Sequence, residues 1–189
     1  MADDRNRVCP VELSNSLDNR IRRWLQNPRH ILSPFVKQGM TVLDVGCGPG
    51  FFTVDLADLV GTEGSVIAAD LQEGMLQKVR AKVGGTELGK RIRFVQCRND
   101  NVNVTEPVDF ILAFYMVHEV PNKRAFFNQL AAILKENGTF LLIEPRLFHV
   151  SKNEFEQTIH IAGQSGFVYR NGPAVLFSHS AVLTRPRSG

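Results

Sequence analysis

Thr41-Val42-Leu43-Asp44-Val45-Gly46-Cys47-Gly48-Pro49-Gly50, followed by Phe51-Phe52, is the stretch on which the fold of this chain turns. Val42, Leu43 and Val45 suit a strand covered on both faces, as in a parallel sheet. Gly46, Gly48 and Gly50 then let the backbone turn sharply, where a Cβ would keep a ligand away from the main chain. A helix opening near Phe51 would aim unpaired N–H groups at that ligand. A strand running through a glycine turn into a helix marks a nucleotide-like site. Asp44 narrows the choice. A carboxylate inside an apolar strand is costly unless something needs it, and a cationic ligand end, ammonium or sulfonium, explains it better than a pyrophosphate does. The spacing agrees, because Phe51 stands where a dinucleotide fingerprint wants its third glycine.

Outward from this stretch, strands and helices alternate. Upstream lie a polar arm to about residue 13, a helix with Leu17, Ile21, Trp24 and Leu25 on one face, and a short helix opened by Asn27-Pro28 and limited by Pro34. Downstream, Phe52 to Val60 reads as a helix ended by Gly61, and Val66 to Ala69 as a strand ending at Asp70. Met75, Leu76 and Val79 mark the next helix, closed by Gly84-Gly85. Ile92 to Val95 and Val108 to Phe114 are the third and fourth strands, and Pro121 to Lys135 a helix stopped at Asn137-Gly138. A fifth strand spans Thr139 to Ile143, and Ser151-x-x-Glu154 is a capping box for a helix to about Gln164. Phe167–Arg170 and Ser180–Thr184 close the chain as two strands. The expected fold is α/β, a Rossmann-like, doubly wound, seven-stranded and mostly parallel sheet with one antiparallel strand and helices on both faces.

Composition sets limits. With 189 residues, 43% hydrophobic and 22% charged, the chain is expected to be one globular domain with a short appendage. No apolar run approaches the ~20 residues of a membrane span, and the charged Met1–Arg7 segment is no signal peptide. Cys9, Cys47 and Cys97 form no CxxC pair, which points to a reducing, cytoplasmic compartment and to no metal site. A net charge of +3 neither requires nor excludes an anionic partner.

Val42 to Gly50 resembles motif I of the class I S-adenosylmethionine-dependent methyltransferases, of the small single-domain type 11/25-like kind. The resemblance runs from about Gly39 to Pro145, and the remaining pieces follow in the family's order. It implies S-adenosylmethionine as cofactor and S-adenosylhomocysteine as product. It further implies that Asp44, Gly46, Cys47, Gly48 and Gly50 hold the methionine end and that Asp70 accepts from both ribose hydroxyls. Leu71 and Met75 would lie on the adenine, and the Phe114–Pro121 loop under the methionine part. Where the family often has an acidic residue for the adenine amino group stands Arg98, which cannot accept; Asn99 or Asp100 takes over, or backbone groups alone do so.

The resemblance also implies an N-terminal segment, residues 1–38, capping the substrate side of a cofactor-binding domain at 39–189. Acceptor-side candidates are Tyr115, His118 and His149, with Glu119 and Glu144 as weaker ones; the two histidines and the two glutamates each have an ordinary structural reading beside the catalytic one. Arg20, Arg22, Arg23 and Arg29 read more simply as a solvated helix face than as a nucleic-acid patch. The loop after the fourth strand lacks the Asn/Asp-Pro-Pro-Tyr pattern of nucleic-acid amino methylation, and no Pro-Cys nucleophile stands there. A small-molecule acceptor is expected. Methylation of a protein or nucleic acid, and a noncatalytic cofactor-binding subunit, remain the alternatives.

Overall fold

A computed structural model describes residues 26–146 and 150–186. Its elements are α1 (Pro28–Leu32), β1 (Thr41–Val45), α2 (Thr53–Leu59), β2 (Ser65–Asp70), α3 (Glu73–Val83), β3 (Ile92–Gln96), β4 (Val108–Phe114), α4 (Lys123–Ile133), β5 (Leu134–Pro145), α5 (Lys152–Gln164), β6 (Val168–Asn171) and β7 (Ser178–Thr184). The helix expected around Leu17 to Leu25 lies outside the described residues.

Among the described residues the strands form one sheet in the order β3-β2-β1-β4-β5-β7-β6. β1 to β5 pair in parallel, and β7 runs antiparallel to both β5 and β6. The single reversed strand follows from the connection at the C-terminus, where β6 and β7 are joined without a crossover helix. Side chains alternate across the sheet and fill two cores. Val42, Val66, Phe110 and Leu141 face α1, α2 and α3; Leu43, Ile67, Ile111 and Leu142 face α4 and α5. Both faces are covered, so the central strands carry almost no polar residues. The buried exceptions are carboxyl groups: Asp44 on β1, Asp70 at the end of β2 and Glu144 near the end of β5.

The starts of α1, α4 and α5 carry side-chain caps. Asn27 accepts from His30 N–H and opens α1, and both halves of the Ser151/Glu154 capping box are formed at α5. At five residues α1 is far too short to be stable alone. It persists because Ile31 and Leu32 are buried against α2, at roughly 1.5–3 kcal/mol for each such side chain.

One boundary differs from expectation. α4 stops at Ile133, and Leu134 already pairs with Val108; the register then jumps to Thr139 opposite Phe110, so residues 135–138 bulge. Helical spacing extends through Leu134, but its burial in the sheet core decides the conformation. Gly138 permits the bulge, since a Cβ there would lie 2.5 Å from Leu134 Cδ1.

The sheet order changes direction between β1 and β4, with β2 following β1 outward on one side and β5 following β4 on the other. A crevice at the carboxyl ends of such neighbours is where sheets of this kind hold ligands.

Candidate functional site

A cavity of about 1000 Å³ opens at the carboxyl ends of β1, β2, β4 and β5. Its first wall is the glycine turn. Gly46 and Cys47 donate their N–H groups to Ala69 O at 2.7 and 3.1 Å, folding the turn over the end of β2. Gly48 N–H reaches Asp70 Oδ2, and Gln72 N–H reaches Asp70 Oδ1, each at 2.9 Å. Glycine is required at Gly46, whose φ is +69° and whose Cβ would lie 2.7 Å from Met116 Cγ. At Gly48, φ is +53° and the Cβ direction is open space, so bare backbone borders the cavity there.

Two buried carboxyl groups stand behind this wall. Asp44 is 2% exposed and accepts from Thr53 Oγ at 2.7 Å. Burial, with a smaller contribution from the charge of Asp70, pushes its pKa from 3.8 up to about 7 against the opposing Thr53 bond. Burial also raises Asp70, opposed by the Gln72 and Gly48 N–H bonds. Both therefore hold their protons more strongly than surface carboxylates and gain from a cation or hydrogen-bond donor entering the cavity. Burial raises Cys47 well above its ordinary value and Cys97 to about 12, which leaves both as inert thiols.

The opposite wall is aromatic. Phe114 packs on Phe52 and Tyr115, with ring centroids 4.4 and 4.2 Å apart. Tyr115 takes φ of +58°, so the chain turns out of β4 at this residue. Its hydroxyl accepts from Gln26 Nε2 at 2.8 Å and lies 2.5 Å from Ser178 Oγ. The following turn hangs on Glu144, which is 1% exposed. Its Oε1 accepts from the N–H groups of Met116 and Val117, and its Oε2 from His118 N–H and the His118 ring at Nδ1, 2.7 Å away.

Of the residues expected from sequence, Asp44, Gly46, Cys47, Gly48, Asp70, Leu71, Met75, Asn99, Asp100, Phe114, Tyr115 and His118 all line this cavity. Gly50 does not. With φ of +83° and a Cβ direction only 3.0 Å from Val79, it serves the packing of the turn on α3. His149 lies outside the described residues, as do Cys9, Arg20, Arg22 and Arg23. Arg98 is in the lining, and its backbone pairs with Asn101 to form a tight hairpin that presents Asn99 and Asp100. Arg29 pairs with Asp58 on the surface. Phe126 of α4 also reaches the cavity.

Sequence reasoning misses Thr53, the partner of Asp44, and the pair Gln26 and Ser178 on Tyr115. A threonine in the first turn behind a glycine loop is the available signal for Thr53. Nothing in the sequence links Gln26, Tyr115 and Ser178, which come from three distant segments.

Comparison with known proteins agrees with this geometry. Residues 36–170 match the family described as Methyltransferase domain. The ubiquinone/menaquinone biosynthesis C-methyltransferase UbiE of Marinomonas sp. (strain MWYL1) is 30% identical over 141 residues, covering 74% of this chain and 54% of that protein. The protein of the same name from Citrobacter koseri is 29% identical over 140 residues, covering 72% and 56%. The chain thus spans about half the length of the curated relatives it matches. The crystal structure of a SAM dependent methyltransferase from Aquifex aeolicus superposes with a TM-score of 0.80 at 27% identity, over 93% of this chain and 98% of that one. On motif order, fold and this match, the chain belongs to the class I S-adenosylmethionine-dependent methyltransferases.

Proposed function

We propose that the protein transfers a methyl group from S-adenosylmethionine to a small-molecule acceptor, and that donor and acceptor share the one cavity. The observation that carries this reading is the division of that cavity into a polar glycine-loop wall and an aromatic wall. Its volume stands at the upper end of the ~300–1,000 Å³ usual for small-molecule pockets, which suits two ligands side by side.

The residues present fit the cofactor. Bare backbone at Gly48 and a buried carboxyl at Asp44 suit a cationic amino-acid end. The two Asp70 oxygens accept backbone bonds from Gly48 and Gln72, and a carboxylate has about four acceptor positions, so two hydroxyls can still be held. Leu71 and Met75 offer apolar surface for a base, and Asn99 or Asp100 a polar edge. When bound, the cofactor supplies an electrophilic methyl group on a sulfonium. The chain's share is alignment and exclusion of water: Phe114, Tyr115 and Met116 shape the space between the two walls, and Glu144 fixes their backbone.

For the acceptor, apolar walls and the surface pairing of Arg29 with Asp58 favour a small molecule over a nucleic acid. Two relatives named as C-methyltransferases of quinone biosynthesis support the same class and favour carbon as the site of attachment. The bond from Gln26 to Tyr115 supports residues 1–38 as a cap over the acceptor side. Free thiols at Cys47 and Cys97 suit a reducing, cytoplasmic location, and no helix among the described residues is long and apolar enough to cross a membrane. The test is calorimetry with S-adenosylmethionine and S-adenosylhomocysteine, followed by transfer of labelled methyl from the cofactor into fractionated cell extract. Label in the small-molecule fraction is expected. Label confined to protein or RNA would overturn the acceptor class, and failure of both ligands to bind would overturn the whole reading.

A further inference from the structure

Glu144 does more than hold a turn. Three successive backbone N–H groups, from Met116 to His118, would suffice to anchor that loop to a buried carboxylate. The fourth bond is to a titratable ring, at the shortest distance of the set, 2.7 Å. An ionised carboxylate only accepts, so the proton between them belongs to His118 Nδ1. In the neutral ring Nε2 is then the basic nitrogen, and the partner carboxylate increases its basicity. His118 belongs to the cavity lining, its side chain 23% exposed, and the same lining includes Phe114, Tyr115, Val120 and Phe126 together with Glu119 and Asn122. These walls suit a flat, apolar ring rather than an extended polar chain.

We propose that His118 and Glu144 form a proton-accepting pair for the methyl acceptor, with His118 as catalytic base and Glu144 as its positioning residue, and that the acceptor is a phenol- or enol-type compound. The inference rests on the reading that acceptor and cofactor share this cavity. In the step, the acceptor O–H bond breaks and its proton moves to Nε2, leaving the electron pair on the acceptor. That pair, on oxygen or delocalised onto the adjoining ring carbon, forms the new bond to the methyl carbon. The C–S bond of the sulfonium breaks with its pair going to sulfur, and the product is a neutral thioether. Where carbon is methylated, its own proton leaves to water as the ring system is restored. Imidazolium returns its proton to solvent. An imidazole is better matched to a phenol or enol than to an aliphatic alcohol, whose proton is far less acidic.

The groups facing His118 are Glu144 from β5, Glu119 on its own turn with an oxygen 3.9 Å from Nε2, and Lys123 at the start of α4. Burial and Lys123 pull the ring's pKa down, but the Glu144 bond and charge, with Glu119, outweigh them, so it titrates above 6.5. The base works neutral. Turnover therefore falls as pH drops through that raised value.

The experiment uses the full chain with His118→Gln, whose amide can still donate to Glu144, and Glu144→Gln. Binding of S-adenosylhomocysteine is measured first; if the wild type does not bind it, the functional reading fails, not the pair alone. Labelled S-adenosylmethionine is then supplied with 4-nitrophenol, catechol, benzyl alcohol or aniline. Transfer to 4-nitrophenol or catechol is expected, lowered about 10²–10⁴-fold in kcat by His118→Gln with cofactor binding intact. Glu144→Gln is expected to move the acid limb of the pH profile to lower pH, which a residue that only held the loop would not do. The pair is overturned if neither phenol is methylated, if His118→Gln keeps the wild-type rate, or if the acid limb stays in place in Glu144→Gln.

Discussion

Replacing Asp44 with asparagine should stabilise the cofactor-free protein at alkaline pH, although Asp44 is buried and hydrogen-bonded. Its pKa is 3.8 ordinarily and about 7 when folded, chiefly because burial penalises the charge. A group that binds its proton more tightly in the folded state contributes stability that is complete below the unfolded value and is lost as pH rises through the folded one. Each tenfold change in proton affinity is worth about 1.4 kcal/mol, so the loss over that window is about 4 kcal/mol. The substituted amide carries no charge, and its carbonyl can still accept from Thr53 Oγ. The stability difference between Asp44→Asn and wild type should therefore grow in favour of the variant by about 2–3 kcal/mol between about pH 5 and about pH 8, where wild-type Asp44 ionises. Groups not coupled to Asp44 cancel in the difference, and the weaker coupling to Asp70 leaves the sign unchanged. Urea unfolding of both proteins across that range, without ligand, measures it directly. A difference independent of pH, or a variant less stable at about pH 8 than at about pH 5 relative to wild type, would refute the account of Asp44 as a desolvated carboxyl. The same variant should bind S-adenosylmethionine more weakly, because a cationic ligand end recovers the cost of the charge.

Asp70→Ala should weaken cofactor binding by about 1.5–3 kcal/mol, the range for hydrogen bonds to a charged group; an unchanged dissociation constant by calorimetry would show the ribose contact to be elsewhere. Thr53→Val removes the donor to buried Asp44 at constant shape and should cost about 1.5–3 kcal/mol in urea unfolding near neutral pH, with a smaller cost in acid, where Asp44 is protonated. Gly46→Ala forces a Cβ to within 2.7 Å of Met116 at φ of +69°. Cofactor binding should be lost while circular dichroism stays close to wild type, and retained binding would mean that the turn is more pliant than its contacts suggest. Ser151→Ala breaks the capping box of α5 and should lower stability by about 1 kcal/mol without changing cofactor affinity.

Much of the architecture is readable because local signals agree with the tertiary demand. Asn27-Pro28, Gly84 and the Ser151/Glu154 box place helix ends through features that lie within a few residues. Leu134 reads wrongly as helix because helical spacing and sheet burial pull that residue in different directions, and a sequence shows only the first. The residues expected on the cofactor side, Gly50 apart, share one cavity. They lie just after strand ends, where a parallel sheet must present its loops on one edge. Gly50 looks like a ligand contact because its spacing continues that of Gly46 and Gly48, whereas its actual neighbour Val79 lies far along the chain on α3.

By itself the sequence pointed to the donor, S-adenosylmethionine. A glycine turn after an apolar strand, a carboxylate inside that strand and another at the end of the next are local features, and their chemistry selects a cationic nucleoside-like ligand. Tertiary structure alone decided what each carboxylate does. Asp44 meets Thr53 across the start of α2, Asp70 clips the glycine turn to β2, and Glu144 gathers three backbone donors and the His118 ring. The reason is physical: a carboxyl group's pKa and role follow from its burial and from the donors within hydrogen-bond reach, and most of those donors arrive from segments far apart in the chain.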